Sequence, residues 1–221
     1  MFSFHETFDT LNRMIETNEP LFSESEMERL SRNRFVVIRS LAAEALGEYP
    51  ASFATPILNR MLTDSNSGVR SSAAIGISKI HNLRNDKTFL LLKDAFEEDT
   101  DPLVRGYSGY AFIKGYCGKG NVVKDVESIL RFERNFFVKA LSYSALYSFL
   151  NQKWALDELI SCFRSRNYRT RCAVANILSD ILDKENAEII YQAAQKALKK
   201  ETEISVISSL SDLIDQVEKV L

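Results

Sequence analysis

The sequence predicts an all-α fold, a right-handed α-α superhelix of about five or six helical pairs without sheet. The 221 residues include only four prolines and eight glycines, which is typical of helices joined by short connections. Apolar residues recur with helical periodicity along most of the chain. One short pattern also recurs every 31 to 35 residues, and a steady period of this length indicates stacked helical repeats.

The recurring pattern centres on a basic residue that follows a β-branched one. Five copies lie at residues 34–46, 67–77, 102–112, 136–146 and 168–178. Their basic residues are Arg39, Arg70, Arg105, Lys139 and Arg171, which are 31, 35, 34 and 32 residues apart. A sixth copy, at residues 203–213, has Ser205 at this position. We interpret each copy as the second helix, B, of a two-helix unit.

The B helices begin with a capping signal. Four residues before the basic position stand Asn66, Asp101, Asn135 and Asn167. A short Asx side chain there can accept hydrogen bonds from the first free amides of a helix, and Pro102 fits the first helical position because its missing N–H costs nothing. Small residues such as Ala73, Ala74 and Gly76 follow, and they would let neighbouring helices approach closely.

A first helix, A, is predicted before most B helices from its apolar periodicity. These segments lie at residues 53–62, 89–96, 122–132, 155–163 and 187–198, with short polar connections between elements. No long linker or change of composition interrupts the series. We therefore predict a single domain over residues 1–221, with a helical cap at 1–30, repeats at 31–200 and a capping helix at 201–221.

The spacing of an Asx residue, a basic residue and an alanine on paired helices resembles HEAT repeats, specifically the short bacterial type named after phycobilisome lyases. The resemblance covers roughly residues 50–215 and extends to about residue 30 through Arg39. It implies that the recurrent Asx and basic residues form a ladder between adjacent repeats, in which a guanidinium bridges several acceptors at once. The ladder residues would be Asn66, Arg70, Asp101, Arg105, Asn135, Lys139, Asn167 and Arg171.

No group of residues is typical of an enzyme. The only histidines are His5 and His81, which are too few for a histidine-rich metal site, and the isolated pair of His5 and Glu6 is best interpreted as part of an exposed helix. The segment KGYCGKG, residues 114–120, lacks the spacing and the hydroxyl of a phosphate-binding loop and is interpreted as a plain loop. We predict no catalytic residues, no metal and no cofactor.

The sequence favours a cytoplasmic protein that does not enter a membrane. Its amino terminus lacks the charged and apolar regions of a signal peptide, and no apolar run reaches about 18 residues. The cysteines, Cys117, Cys162 and Cys172, are odd in number and far apart, which is typical of reduced thiols in the cytosol.

A partner-binding strip is predicted from the helical phase of the B helices. If Ala73 is the inward centre of its helix, a step of 100° per residue places Ser71, Ile75 and Ser78 most outward. HEAT-like B helices line the concave side of the superhelix. The predicted strip there consists of Ile75, Tyr110, Ile113 and Tyr147, flanked by Lys79 and Lys114. Outward apolar residues in neighbouring repeats are typical of interaction surfaces.

These features favour a non-catalytic scaffold, adaptor or inhibitor that binds a protein partner through the concave face. The alternative is a nucleic-acid-binding protein similar to HEAT-like DNA glycosylases, which would use Arg164, Arg166 and Arg169, although the net charge of −2 argues against a general nucleic-acid binder. A bilin lyase is a third interpretation. A continuous positive concave face would favour nucleic acid, whereas a mixed or apolar face would favour protein.

Overall fold

Helices account for all regular secondary structure in the described part of the chain. The structure, a computed structural model, describes residues 3–80, 83, 85–115 and 121–221. This confirms the predicted all-α class. The chain divides into two compact units, Met1–Cys117 and Gly118–Leu221, which are described separately. His81, Cys117 and most of the predicted loop at 114–120 lie outside the described residues.

The first unit contains the first three B helices. Its helices are α1 (Phe4–Thr17), α2 (Glu24–Leu30), α3 (Val36–Ala45), α4 (Ala51–Met61), α5 (Ser67–Lys79), α6 (Asp86–Glu98) and α7 (Pro102–Gly115). The B helices are α3, α5 and α7, and the A helices α4 and α6 precede the last two. A 3₁₀ turn at Leu46–Glu48 extends α3. The A and B segments predicted from the sequence are thus present, with ends shifted by a few residues.

The B helices of this unit pack side by side, α3 on α5 and α5 on α7. Small side chains line these contacts, and Ala42, Ala43, Ala73 and Ala74 are fully buried. A Cβ atom added to Gly76 would run into the carbonyl oxygen of Ala43, so the backbones of α3 and α5 approach each other directly there. The predicted close approach through small residues is confirmed at this contact.

Helices α1 and α2 both pack against α3. Each begins with a capping box, in which Ser3 or Ser23 exchanges hydrogen bonds with Glu6 or Glu26 three residues later. The hydroxyl of Tyr49 donates a buried hydrogen bond of 2.6 Å to the carbonyl oxygen of Phe22. Residues 4–17 and 24–30 are therefore helical and packed against the first B helix.

The second unit contains the remaining helices. They are α8 (Val122–Phe132), α9 (Phe136–Leu150), α10 (Trp154–Ser161), α11 (Tyr168–Asp180), α12 (Ala187–Leu198) and α13 (Ile204–Glu218). The B helices are α9, α11 and α13, and a 3₁₀ turn at Cys162–Arg164 follows α10. Its core includes Val138, Leu146, Leu159, Leu178, Ile190 and Leu210, all buried. Both α9 and α13 pack against α11.

The predicted helix caps are present in both units. The side-chain oxygen of Asn66 accepts a hydrogen bond from the amide of Gly68 at 2.9 Å, and Asp101 accepts one from Leu103 at 2.8 Å. Asn135 and Asn167 cap α9 and α11 in the same way. Each cap satisfies one amide that the helix itself leaves unpaired, which explains why an Asx residue recurs at this position.

Candidate protein-interaction surface

The recurrent arginines join successive loops within each unit. Arg70 donates from Nη1 to the carbonyl oxygen of Asp64 at 2.9 Å, and from Nε and Nη2 to the two carboxylate oxygens of Asp99 at 2.7 and 2.9 Å. Arg39 binds the Asn33 carbonyl and the Asp64 carboxylate in the same geometry. Each guanidinium thus ties the loop before its own B helix to the loop before the next one.

The acidic members of the ladder differ from those expected. Asn66 and Asp101 were expected to be arginine partners, as were Asn135 and Asn167, but these side chains cap their helices instead. The carboxylate that accepts hydrogen bonds from each arginine lies two residues before the capping residue of the next B helix. Asp64 and Asp99 also accept the amides of the capping residues themselves, both at 2.9 Å. The expected pairing is therefore wrong, because the Asx side chain is already engaged by its own helix.

The ladder geometry also occurs at the carboxy-terminal end of the second unit. Arg171 donates to the Ser165 carbonyl at 2.9 Å and to both carboxylate oxygens of Glu201 at 2.7 and 2.8 Å. Lys139 was expected to be a ladder residue, but no ion pair of its ammonium group is found with any described residue. The position that would supply its carboxylate is Ser165, a buried side chain without charge. The prediction for Lys139 is therefore wrong.

Arg105 makes the same backbone contact as Arg70. Its Nη1 donates to the carbonyl oxygen of Asp99 at 2.8 Å. Two residues before the next cap stands Glu133, which accepts the amide of Asn135 at 2.7 Å, as Asp64 and Asp99 do for their own caps. The acidic position therefore recurs in both units, two residues before the cap.

The ladder electrostatics favour a structural role. Burial is the largest single effect on Asp99 and would raise its pKa, but the hydrogen bonds from Arg70 and the Asp101 amide and the charges of Arg70 and Arg105 together outweigh it and lower that pKa. Hydrogen bonds from Arg171 lower the pKa of Glu201 to about 2. The Arg70 and Arg171 side chains are each 16% exposed, and their carboxylate partners 11% and 8%. These guanidinium groups are committed to neighbouring loops rather than presented to a ligand.

The Glu201 ion pair predicts an acid-dependent loss of stability. Because the pKa of Glu201 in the folded protein lies below its ordinary value of 4.5, this contribution to stability is complete above pH 4.5 and is lost as the pH falls toward about 2. We expect Glu201→Gln to lower the free energy of unfolding by about 2–3 kcal/mol at pH 7 and by much less near pH 2. Urea titrations at both pH values measure this difference.

The matched control for that experiment is Asp212→Asn, which removes an exposed carboxylate of α13. It should change stability by less than about 0.5 kcal/mol at either pH. A Glu201→Gln effect that stays constant from pH 7 to pH 2 would contradict the role given to the ion pair.

A second feature of the first unit is the exposed line of residues along its B helices, which we name the B face. On each B helix it comprises four residues. One lies two residues before the recurrent arginine, and the others lie two, five and nine residues after it. These four positions lie within about 60° of one another on a helix. The members are Val37, Leu41, Glu44 and Glu48, then Gly68, Ser72, Ile75 and Lys79, then Leu103, Tyr107, Tyr110 and Lys114.

The B face contains part of the predicted strip. Ile75, Lys79, Tyr110 and Lys114 lie on it, and each is partly exposed. Ile113 is fully buried, so its predicted place on an exposed strip is wrong. It lies one residue before Lys114 and therefore points 100° away around the helix, into the core.

Tyr147 belongs to the second unit and is partly exposed there. Its hydroxyl accepts a hydrogen bond from Nδ2 of Asn186 at 3.2 Å, and the ammonium nitrogen of Lys153 lies 5.5 Å from its ring centroid. Tyr147 thus makes contacts inside its own unit, and its role as a partner-binding residue stays a prediction.

The sequence-based strip missed eight of the twelve members of the B face, among them the apolar and aromatic residues Val37, Leu41, Leu103 and Tyr107. Val37 and Leu103 are 41% and 49% exposed, which is high for large apolar side chains. The signal that would have found them is the recurrence of apolar residues two before and two after the arginine in α3 and α7. The predicted strip took Ala73 as the inward centre of its helix, and the outward positions that follow from this choice do not include these residues.

The charges of the B face nearly cancel. Nζ of Lys79 lies 3.3 Å from a carboxylate oxygen of Glu48 and 3.9 Å from one of Glu44, linking α5 to the end of α3. Burial lowers the pKa of Lys114, and burial together with Glu44 raises the pKa of Tyr107. The surface is therefore mixed and apolar rather than continuously positive.

The arginines of the alternative nucleic-acid hypothesis lie in the second unit. Arg164, Arg166 and Arg169 are exposed around the start of α11. The guanidinium carbon of Arg169 lies 5.8 Å from the ring centroid of Tyr168. Within the described ranges, no helix is long and apolar enough to cross a bilayer, and no cluster of three or more histidine, cysteine or acidic side chains could hold a metal ion.

A match to one family model supports the class of fold. Residues 26–111 match the family model described as HEAT repeats, which confirms the predicted resemblance over this segment. An engineered protein of the Northeast Structural Genomics Consortium is 13% identical, with a TM-score of 0.43 and coverage of 90% of this chain and 100% of its own. A second engineered protein of that consortium is 14% identical, with a TM-score of 0.40 and coverage of 90% and 98%. No curated protein matches the chain.

Proposed function

We propose that this protein is a non-catalytic scaffold, adaptor or inhibitor whose B face binds a protein partner. HEAT repeats generally serve as protein–protein interaction scaffolds. The observation that carries the proposal is the B face itself, a row of apolar and aromatic side chains across three adjacent helices with almost no net charge. We further propose a cytoplasmic location, in keeping with the free thiols of Cys162 and Cys172.

The composition of the B face resembles that of a protein interface. Leu103, Tyr107 and Tyr110 project from one helix, and tyrosine combines a large apolar body with a polar tip. Tyrosines are enriched among the residues that carry most of the binding energy in protein complexes. The ion-paired Lys79 and Glu48 at the other end of the surface would form part of a polar rim.

A nucleic-acid partner is less well supported at this surface. Affinity for nucleic acid depends on cations that neutralise phosphates, and the B face pairs Lys79 with two glutamates instead. Lys114 is partly buried, and burial disfavours its charged form. The mixed surface therefore favours a protein partner over a phosphate backbone.

The proposal predicts that Leu103→Asp abolishes partner binding without unfolding the protein. Leu103 is 49% exposed, so its replacement should change the free energy of unfolding by less than about 0.5 kcal/mol. An unpaired carboxylate buried in an interface should weaken affinity by at least about 2 kcal/mol. Quantitative affinity capture from the source cell would measure the loss.

The matched control is Leu90→Asp, because Leu90 is an equally large side chain of the A helix α6 and is 61% exposed. This variant should recover the same partners as the wild type. If Leu103→Asp and the wild type are both folded and recover equal amounts of the partner, the B face is not the binding surface.

A further inference from the structure

We propose that a cavity in the second unit binds an acidic peptide segment that inserts one apolar side chain. The cavity has a volume of about 680 Å³ and lies between the carboxy-terminal ends of α10 and α12. This volume falls within the range of about 300–1,000 Å³ that is usual for bound ligands. The site is separate from the B face, which belongs entirely to the first unit.

The apolar part of the lining comes from two helical segments. Ile160 and Phe163 lie on α10 and the turn that follows it, and Ala193 and Ala197 lie on α12. Each pair is three or four residues apart, so its members share one face of their segment. Both alanines carry only a methyl group, which leaves open space between the two segments. This lining suits an aliphatic or aromatic side chain of a ligand.

The charged part of the lining is positive. Arg164, Lys196 and Lys200 line the cavity and are exposed, and none forms an ion pair with a described residue. Among the described residues, the Arg164 side chain makes one polar contact, from its Nε to the carbonyl oxygen of Ser161 at 3.1 Å. Three cations without a protein counterion would attract a ligand with more than one negative charge.

The other charged residues of the lining do not cancel the positive charges of Arg164, Lys196 and Lys200. Arg171 and Glu201 also line the cavity, but they form a bidentate ion pair with each other. The lining therefore has an excess of three positive charges. A ligand with a single anionic group would leave two of them without a partner, which favours a segment with several carboxylates.

The lining favours a peptide over a single-stranded nucleic acid. Proteins that bind single strands stack successive bases on aromatic side chains. Among the described residues that line this cavity, Phe163 is the one aromatic residue, and the other apolar contributors are Ile160 and two alanines. A peptide with one apolar side chain flanked by carboxylates fits this lining. Its apolar side chain would lie between Phe163 and Ala197, and its carboxylates would lie near Lys196 and Lys200.

The test uses the full chain and a fluorophore-labelled pentapeptide with a central leucine and two glutamates on each side. We expect saturable binding by fluorescence anisotropy at low ionic strength, weakened by added salt. Lys196→Glu and Lys200→Glu should each weaken binding at least about fivefold. Ala197→Trp should fill the cavity and reduce binding about tenfold or more, with its far-ultraviolet circular dichroism unchanged.

The matched control is Lys199→Glu, which reverses an exposed charge beside the cavity that is not part of its lining. It should change affinity less than about twofold. Leu103→Asp on the B face should bind the peptide as the wild type does, so the outcome is independent of the proposed function. The proposal is overturned if the peptide does not saturate by about 1 mM, if Lys199→Glu weakens binding as much as Lys200→Glu, or if a five-nucleotide thymidine strand binds more tightly.

Discussion

Replacing Gly76 with alanine should destabilise the first unit by about 2–3 kcal/mol, although alanine is the better helix former by about 1 kcal/mol. The new methyl group would run into the carbonyl oxygen of Ala43 and lie 3.1 Å from Cδ2 of Leu58. A backbone carbonyl in a packed helix cannot move aside as the tip of a side chain can, so α3 and α5 would have to separate. Urea titration of both proteins measures the change.

Ser72→Ala is the matched control for that substitution. It places the same residue on the same helix, at a partly exposed position of the B face, and should leave stability unchanged or raise it by about 0.5 kcal/mol. If Gly76→Ala instead stabilised the protein by about 1 kcal/mol, the two helices would not meet at this point.

Replacing Arg70 with alanine should cost about 2–4 kcal/mol, because it leaves the carboxylate of Asp99 partly buried without its bidentate partner. A double-mutant cycle with Asp99→Asn separates the pairwise contribution from the effects of the single changes. We expect a coupling energy of about 1–3 kcal/mol.

The exposed pair of Arg32 and Glu28 serves as the reference for this cycle. Its side chains are 63% and 39% exposed, against 16% and 11% for Arg70 and Asp99. Its coupling energy should stay below about 0.5 kcal/mol. Equal coupling in the two pairs would show that the recurrent arginine does not hold the loops together.

The repeat and its helix caps could be predicted from the sequence because both depend on local signals. An asparagine such as Asn66 caps the helix that starts immediately after it, and four of the five copies with a basic residue have a small residue at the position of Gly76. Regular spacing then reveals the unit even without knowledge of the packing. These features do not depend on which distant residues meet.

The ladder carboxylates could not be predicted from the sequence, because the arginines that bind them lie 25 to 30 residues away along the chain. Acidic residues are common in polar loops, and nothing local distinguishes Asp99 from its neighbours. The binding strip was partly wrong for a different reason, since one residue of error rotates a helical position by 100° and moves Ile113 from surface to core. The cavity beside Phe163 depends on how α10 and α12 pack, which periodicity does not describe.

Photo-crosslinking in the source cell tests most directly whether the B face binds a protein partner. A benzophenone-bearing residue would replace Leu41 on the B face in one variant and Leu90 on the A helix α6 in the other. We predict that irradiation yields a discrete crosslinked protein from position 41 and none from position 90. A crosslinked protein obtained from position 90 and not from position 41 would contradict the proposed binding surface.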